Sequence, residues 1–327
     1  MVWVKFIASA VVIVVAANFL AKYGDALAIR TKLGGMFIGV LLMAGATSLP
    51  EVLTSISAVN QQTPNIAAGN LLGSNGFNML LLAILDLTHR NQRLLRKAAR
   101  RHALSGSLAI LMIALVLYFM VTDIKIKLGW IGLDSLIIIA VYILAVRLIS
   151  RDGTPTDSTV EVETPPGTPG LWVAVAGFIA AAGALIAITP LMVSSASEIA
   201  EITGLGTTFV GTTLVALVTS LPELVTTLAA IRIGASDMAI GNLFGSNMFN
   251  MFALGLTDLF YTDGRFLATI DPAFLIVGML GLLMTAVGLV GNLARLERRI
   301  WIIEVDSAAL FILYLTGMWM LFQRGVG

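Results

Sequence analysis

Ten apolar runs separated by polar or glycine-rich breaks divide the chain, at about residues 2–21, 36–59, 65–87, 103–122, 129–149, 171–195, 207–231, 237–260, 272–293 and 301–322. Roughly 20 apolar residues carry an α-helix across the hydrocarbon core of a bilayer. The pattern predicts an all-α membrane protein of ten transmembrane helices. The first run is too long for the apolar core of a cleaved leader and reads as a retained span. One long polar gap, Ser150–Gly170, is rich in Pro, Thr, Gly and acid, the composition of a flexible linker. Residues 1–149 then hold spans one to five, 150–170 the connection, and 171–327 spans six to ten of a single unit.

The two halves repeat each other at a constant offset of 172. Ala44–Asn78 reads AGATSLPEVLTSISAVNQQTPNIAAGNLLGSNGFN, and Ala216–Asn250 reads ALVTSLPELVTTLAAIRIGASDMAIGNLFGSNMFN. Between Gly69–Met79 and Gly241–Met251, nine of eleven residues are identical. Five spans per copy is an odd number, so the second copy must cross the membrane in the opposite sense. Charge agrees. With the N-terminus outside, fifteen of the twenty Lys and Arg residues fall on the cytoplasmic side and five outside, the bias expected of inward-facing loops. Both termini are then external and the 150–170 linker is cytoplasmic. The six basic residues between His89 and His102 fit this orientation rule without a separate lipid-binding role.

Composition narrows the chemistry. The 327 residues are 58% hydrophobic and 12% charged, against about a quarter charged for a soluble domain. Cysteine is absent, and both histidines lie in one basic segment. Disulfides, thiolate metal sites and a His-based intramembrane hydrolase are therefore excluded, the last also for want of a HExxH motif. No cofactor, nucleic acid or obligatory protein partner is expected. The partners expected are the lipid bilayer and small cations.

The cation expectation rests on Glu51 and Glu223, each near the middle of a span. An ionised side chain there costs at least about 2.5–3.5 kcal/mol, and no span core offers a Lys or Arg to pair with it. Pro50 and Pro222 precede them and remove a helical N–H, which frees the carbonyls of Ala46 and Val218. Thr47 lies one turn before Glu51, and Thr219 one turn before Glu223. Gly73-Ser74-Asn75 and Gly245-Ser246-Asn247 are expected to break spans three and eight. Their small-xxx-small spacing should also draw helices together, so that Ser74, Asn78, Ser246 and Asn250 face the gap. All these donors are hard oxygens, which suit calcium, sodium or magnesium rather than zinc or copper. Two further repeated pairs, Asp134-Ser135 and Asp306-Ser307, sit in first helical turns and read as structural. Glu198 and Glu201, ending span six, read as solvated.

With these motifs in hand, the chain resembles the calcium/cation antiporter superfamily, close to prokaryotic sodium/calcium exchangers. GATSLPEVLTS…GNLLGSNGFN and LVTSLPELVTT…GNLFGSNMFN match its two alpha repeats, and the likeness covers nearly the whole chain. It implies two inverted five-helix repeats with helices two, three, seven and eight broken. It also implies electrogenic calcium extrusion by alternating access, calcium and sodium competing for one central cluster while spans one and six move across it. Carried over by motif position, Glu51 and Glu223 would be the shared ligands and Thr47, Thr219, Ser74 and Ser246 would complete the ion sites. Asn78 and Asn250 would line the middle, and Ser48, Ser220 and the carbonyls of Ala44 and Ala216 would be further ligands. Some relatives place Asp where Asn250 stands. Proton-coupled relatives place Glu where Gly73 and Gly245 stand. Both departures point to sodium as the driving ion; the alternatives are a proton/calcium antiporter and, from another class, a passive cation channel, which a requirement for an opposing sodium gradient would exclude.

Overall fold

Apolar runs become helices in the computed structural model, which describes residues 1–31, 44–88, 102–152, 167–232, 236–294, 299–300 and 303–325. In chain order these are α1 (Val2–Thr31), α2 (Leu49–Asn60), α3 (Pro64–Thr88), α4 (Ala103–Thr122), α5 (Leu133–Asp152), α6 (Leu171–Thr203), α7 (Gly206–Val210), α8 (Ala216–Thr219), α9 (Leu221–Arg232), α10 (Ser236–Thr257), α11 (Phe266–Thr269), α12 (Phe274–Ala294) and α13 (Val305–Gly325). Among the described residues, eight stretches are long and apolar enough to cross a membrane. They are Val2–Gly24, Pro64–Asp86, Ala103–Thr122, Leu133–Arg151, Leu171–Thr203, Gly206–Arg232, Phe274–Gly291 and Val305–Gln323. The chain is therefore a predominantly helical, multi-pass membrane protein. Helix α10 is long enough to span as well, but Asn242, Ser246, Asn247 and Asn250 make it too polar to qualify. Residues 36–43 of the expected second span, most of the linker and the 89–101 basic segment lie outside the described residues.

Two expectations need correction. First, spans three and eight are not broken at their Gly-Ser-Asn triplets: α3 and α10 run through Gly73–Asn75 and Gly245–Asn247 as continuous helix. A Cβ placed on Gly73 would lie 2.5 Å from the main-chain oxygen of Thr212, and one on Gly69 2.7 Å from the Thr212 nitrogen. These glycines are there for close approach of two backbones, and a helix tolerates glycine at a cost of only about 1 kcal/mol. Second, the fold is not wholly helical. Two antiparallel two-residue hairpins pair Lys127–Leu128 (β1) with Ile131–Gly132 (β2), and Arg299–Ile300 (β3) with Ile303–Glu304 (β4). The first turns at Gly129, whose φ of +68° suits a residue without Cβ. Each hairpin leads into a helix, so α5 and α13 start four residues later than the apolar runs predict. The seventh span also contains a π-helical turn, Gly211–Val215, between α7 and α8. Such turns cluster at functional sites, and this one lies where Gly69 and Gly73 press against Gly211 and Thr212.

The centre of the molecule is α3. Of its most apolar window 94% is buried, against 17% for α6. Helix α3 packs against α2, the π-helical turn, α10, α12 and α13, and α10 packs against α9, α4 and α5. Helices α1 and α6 pack chiefly on each other at the margin of this core. Apolar side chains such as Leu71, Leu72, Met79, Leu81 and Phe244 fill the interior. Polar groups enter it along α2, α3, α9 and α10.

Candidate cation site

In both halves a helix stops at a serine and restarts on Leu-Pro-Glu. Residues 44–47 are helical, Ser48 leaves the helix at φ −88°, ψ 8°, and α2 begins at Leu49. Likewise α8 ends at Thr219, Ser220 has φ −87°, ψ 2°, and α9 begins at Leu221. Proline belongs at such a start, where its missing N–H has no partner to lose. The restart puts Glu51 and Glu223 in the first turns of α2 and α9, where the positive end of the helix dipole favours a carboxylate. The sequence therefore builds, twice, a negative charge inside an apolar span with its own backbone as partial support.

The two halves meet through these residues. Ser48 Oγ donates to Glu223 Oε1 at 2.8 Å, and Ser220 Oγ donates to Glu51 Oε1 at 3.2 Å. Each serine thus serves the glutamate of the other half. Ser246 Oγ adds a longer bond to Glu223 Oε1 at 3.4 Å. Asn78 and Asn250 lie between α3 and α10, bonded to Asn247 and Asn75 respectively. The carbonyls of Ala44 and Ala216 accept from the amides of Ser48 and Ser220, both at 3.0 Å. Thr47 and Thr219 point their hydroxyls at those same carbonyls and at asparagines. All twelve residues singled out from sequence are buried here, none more than 1% exposed.

Several oxygens remain without a hydrogen-bond partner. Among the described residues these include Glu51 Oε2, Glu223 Oε2, Ser74 Oγ, Asn78 Oδ1 and Asn250 Oδ1. A buried polar atom left unsatisfied costs roughly 1–3 kcal/mol, more when charged. Neither glutamate pairs with a Lys, Arg or His among the described residues. Of these five oxygens, two are on carboxylates and two on amides, groups whose free lone pairs would be met by a positive charge.

Sequence reasoning missed the residues that hold these ligands. Asn70 Nδ2 donates to the main-chain oxygen of Glu51 at 3.0 Å and to Ser55 Oγ at 3.1 Å. Its Oδ1 accepts from Thr219 Oγ1 at 2.8 Å, so one side chain ties both helix breaks together. Asn242 does the same from the other half, less tightly, accepting from Thr47 at 3.5 Å and donating to Thr226 and Thr227. Both asparagines lie inside the repeated Gly69–Met79 and Gly241–Met251 stretches, so identity at the 172 offset was the signal that could have found them.

Away from the glutamates, Asp134 Oδ1 and Asp306 Oδ1 each accept from the next residue's N–H at 2.9 Å, as structural first-turn acids should. Arg265 is one of the five basic residues that the charge count assigns to the outside. It is 8% exposed, bonded to Asp123 and 3.4 Å from Asp134. That hydrogen bond holds the Asp123 carboxyl below its usual pKa range. A cavity of about 130 Å³ at this cluster is lined by Asp123, Asp134 and Arg265, the guanidinium being shared between the two carboxylates. Glu198 and Glu201 are exposed on the last turns of α6.

A family described as sodium/calcium exchanger protein matches residues 1–150 and 173–323. The chain belongs to that family. It is thereby a member of the calcium/cation antiporter superfamily, whose proteins are transporters. Among curated relatives of this exchanger-family chain, the inner membrane protein YrbG of Escherichia coli (strain K12) is 31% identical over 242 residues, 72% of this chain and 71% of the relative. Among solved structures, that of the H+/Ca2+ exchanger CAX superposes with a TM-score of 0.75 at 14% identity, covering 99% of this chain and 85% of that one. One of the sodium-calcium exchanger NCX_Mj gives 0.59 at 21% identity, covering 97% and 98%. These likenesses establish a shared backbone fold.

Proposed function

We propose that this protein exchanges sodium for calcium across the cell membrane by alternating access, as an electrogenic secondary antiporter that extrudes calcium. The observation that carries the proposal is the buried pair Glu51 and Glu223, each held by a serine of the other half and each with an oxygen left unsatisfied and no basic partner among the described residues, in a core where Ser74, Asn78 and Asn250 also keep unsatisfied oxygens. Two carboxylates balance one divalent ion, and hydroxyl, amide and carbonyl oxygens complete a flexible oxygen cage of the kind calcium takes. The same groups can take sodium ions in its place. Calcium and sodium are written here as transported substrates.

The architecture in this reading is ten transmembrane helices in two inverted five-helix repeats, residues 1–149 and 171–327, joined by a cytoplasmic linker at 150–170, with both termini outside. Support comes from local structure repeated at the 172 offset. The breaks at Ser48 and Ser220 share their dihedral angles. The hairpin register Lys127 to Gly132 and Leu128 to Ile131 recurs as Arg299 to Glu304 and Ile300 to Ile303. Helices α1 and α6, which pack chiefly on each other, are suited to move as one body across the site.

Sodium rather than protons is favoured as the driving ion by the packing at Gly73 and Gly245. In resembling proton-coupled proteins a glutamate occupies those places. Here a Cβ on Gly73 would strike the Thr212 backbone at 2.5 Å, and one on Gly245 would lie 3.0 Å from the Ala44 Cβ. A carboxylate at residue 73 would need the two backbones to separate, while one at residue 245 would need Ala44 to give by a few tenths of an ångström. The higher TM-score with a proton-coupled exchanger speaks to backbone shape alone at 14% identity. The test is calcium uptake into proteoliposomes loaded in turn with sodium, potassium or a proton gradient. Uptake should require internal sodium. Robust uptake driven by a pH gradient in sodium-free vesicles, abolished by a protonophore, would replace sodium with protons. Calcium flux that needs no counter-ion would replace the antiporter with a channel.

A further inference from the structure

Four asparagine amides pair in a crossed ladder between α3 and α10. Asn78 Nδ2 donates to Asn247 Oδ1, and Asn250 Nδ2 donates to Asn75 Oδ1, both at 3.0 Å. The pairs are related by the 172 offset, but their surroundings differ. Asn247 Nδ2 also reaches the main-chain oxygen of Asn75 at 3.4 Å and Thr285 Oγ1, on α12, at 3.2 Å. A main-chain carbonyl only accepts. Thr285 has its own proton engaged with the Gly281 oxygen at 2.7 Å, so it too can only accept. Both neighbours demand a donor, and the nitrogen of the Asn247 amide must face them. Its oxygen then faces Asn78, which must answer with nitrogen. What remains is the oxygen of Asn78, buried and unpaired.

The other pair has no such anchor. Residue 113, standing 172 before Thr285, is Ile113, which offers no acceptor. The nitrogen of Asn75 is buried without a partner among the described residues. Turning over both Asn75 and Asn250 keeps the hydrogen bond between them, with donor and acceptor exchanged. One arrangement leaves the Asn250 oxygen unpaired, and the other leaves its NH2 group unpaired. Nothing in the surrounding bonds selects between them, except a cation, which attracts the oxygen and repels the NH2.

We propose that Thr285 is a positioning residue of the cation site: acting through Asn247, it fixes the Asn78 oxygen as a standing ligand, while the unanchored Asn250 turns its amide to meet the ion. The proposal rests on the exchange reading above and names a source of asymmetry inside a duplicated site. Thr285→Val removes the acceptor and keeps the shape, and Thr285→Ser keeps the acceptor. In sodium-driven calcium uptake by proteoliposomes, Thr285→Val should raise half-saturating calcium about tenfold, the size of one lost orienting hydrogen bond. Its maximal rate should stay within about twofold, and Thr285→Ser should match wild type. A valine variant with wild-type half-saturation, or equal losses in both variants, overturns the positioning role while leaving exchange itself standing. A wild type that moves no calcium under any gradient overturns both. Should Thr285→Val fail to insert, Thr285→Ala carries the test: it removes the same acceptor with less bulk and should raise half-saturating calcium relative to Thr285→Ser, and an unchanged value overturns the proposal.

Discussion

Gly73→Ala sets two physical effects against each other, and the structure decides which wins. Helix α3 is continuous through residue 73, so propensity alone predicts stabilisation by about 1 kcal/mol. The added Cβ, however, would lie 2.5 Å from the Thr212 oxygen, 2.9 Å from its Cα and 3.0 Å from its carbonyl carbon. Ordinary contact starts near 3.4 Å. The atoms struck are main chain, so no rotamer change relieves the clash, and α3 must move away from the π-helical turn. Overpacking of this kind costs typically about 1–3 kcal/mol. At the upper end of that range, as backbone contact demands, the net effect is a loss of about 2 kcal/mol, or a Tm lower by a few degrees. Gly183→Ala is the control: it is mid-helix in α6 with nothing within 4 Å of its Cβ, so it should hold or raise Tm. The assay is thermal unfolding of the detergent-solubilised chains followed by loss of monodisperse protein, alongside calcium uptake. Stabilisation by Gly73→Ala equal to that of Gly183→Ala would refute the close-approach role of the repeated glycines.

Three further outcomes follow from the same account. In a chain without native cysteine, a cysteine introduced into the 150–170 linker should react with an impermeant reagent only from the cytoplasmic side, and labelling from outside intact cells would break the inverted-repeat topology. If more than two sodium ions replace each calcium, the cycle moves net charge worth about 2.3 kcal/mol per 100 mV for each charge, so a negative interior should speed sodium-driven calcium exit; an exchange rate indifferent to a clamped potential would argue for an electroneutral cycle. The Asp123 carboxyl is held below its usual pKa by Arg265, so its contribution to stability is present above the ordinary carboxylate range and lost as pH falls through the depressed value. The Tm difference between wild type and Asp123→Asn should therefore shrink on acidification, and a difference constant down to strongly acid pH would remove the pairing from the account.

What the sequence made legible was whatever it said twice. The Thr-Ser-Leu-Pro-Glu stretches located both helix breaks, because proline at a helix start and an acid in its first turn are local, one-dimensional features. Asn70, Asn242, Asn75 and Asn247 were repeated too, yet a side chain whose partners lie 15 to 175 positions away gives no local sign of which groups it will hold. The glycines misled for a related reason: Gly73 can break a helix or let another backbone approach, and only the presence of Thr212 across the interface selects the second. Thr285 was beyond reach of symmetry, since its counterpart is Ile113. Arg265 looked like one more outer-loop charge until folding set it between Asp123 and Asp134.

The central claim is that Glu51 and Glu223 together bind the transported cation, and exchange by charge-neutral variants tests it most directly. Glu51→Gln and Glu223→Gln keep the size and the hydrogen-bonding reach of the side chain and remove its charge. Each should insert and purify like wild type. The measurement is calcium uptake into sodium-loaded proteoliposomes, at matched protein content, for wild type and both variants. The account predicts sodium-dependent uptake in wild type and background uptake in each variant. Near-normal sodium-driven calcium flux in either glutamine variant would contradict it.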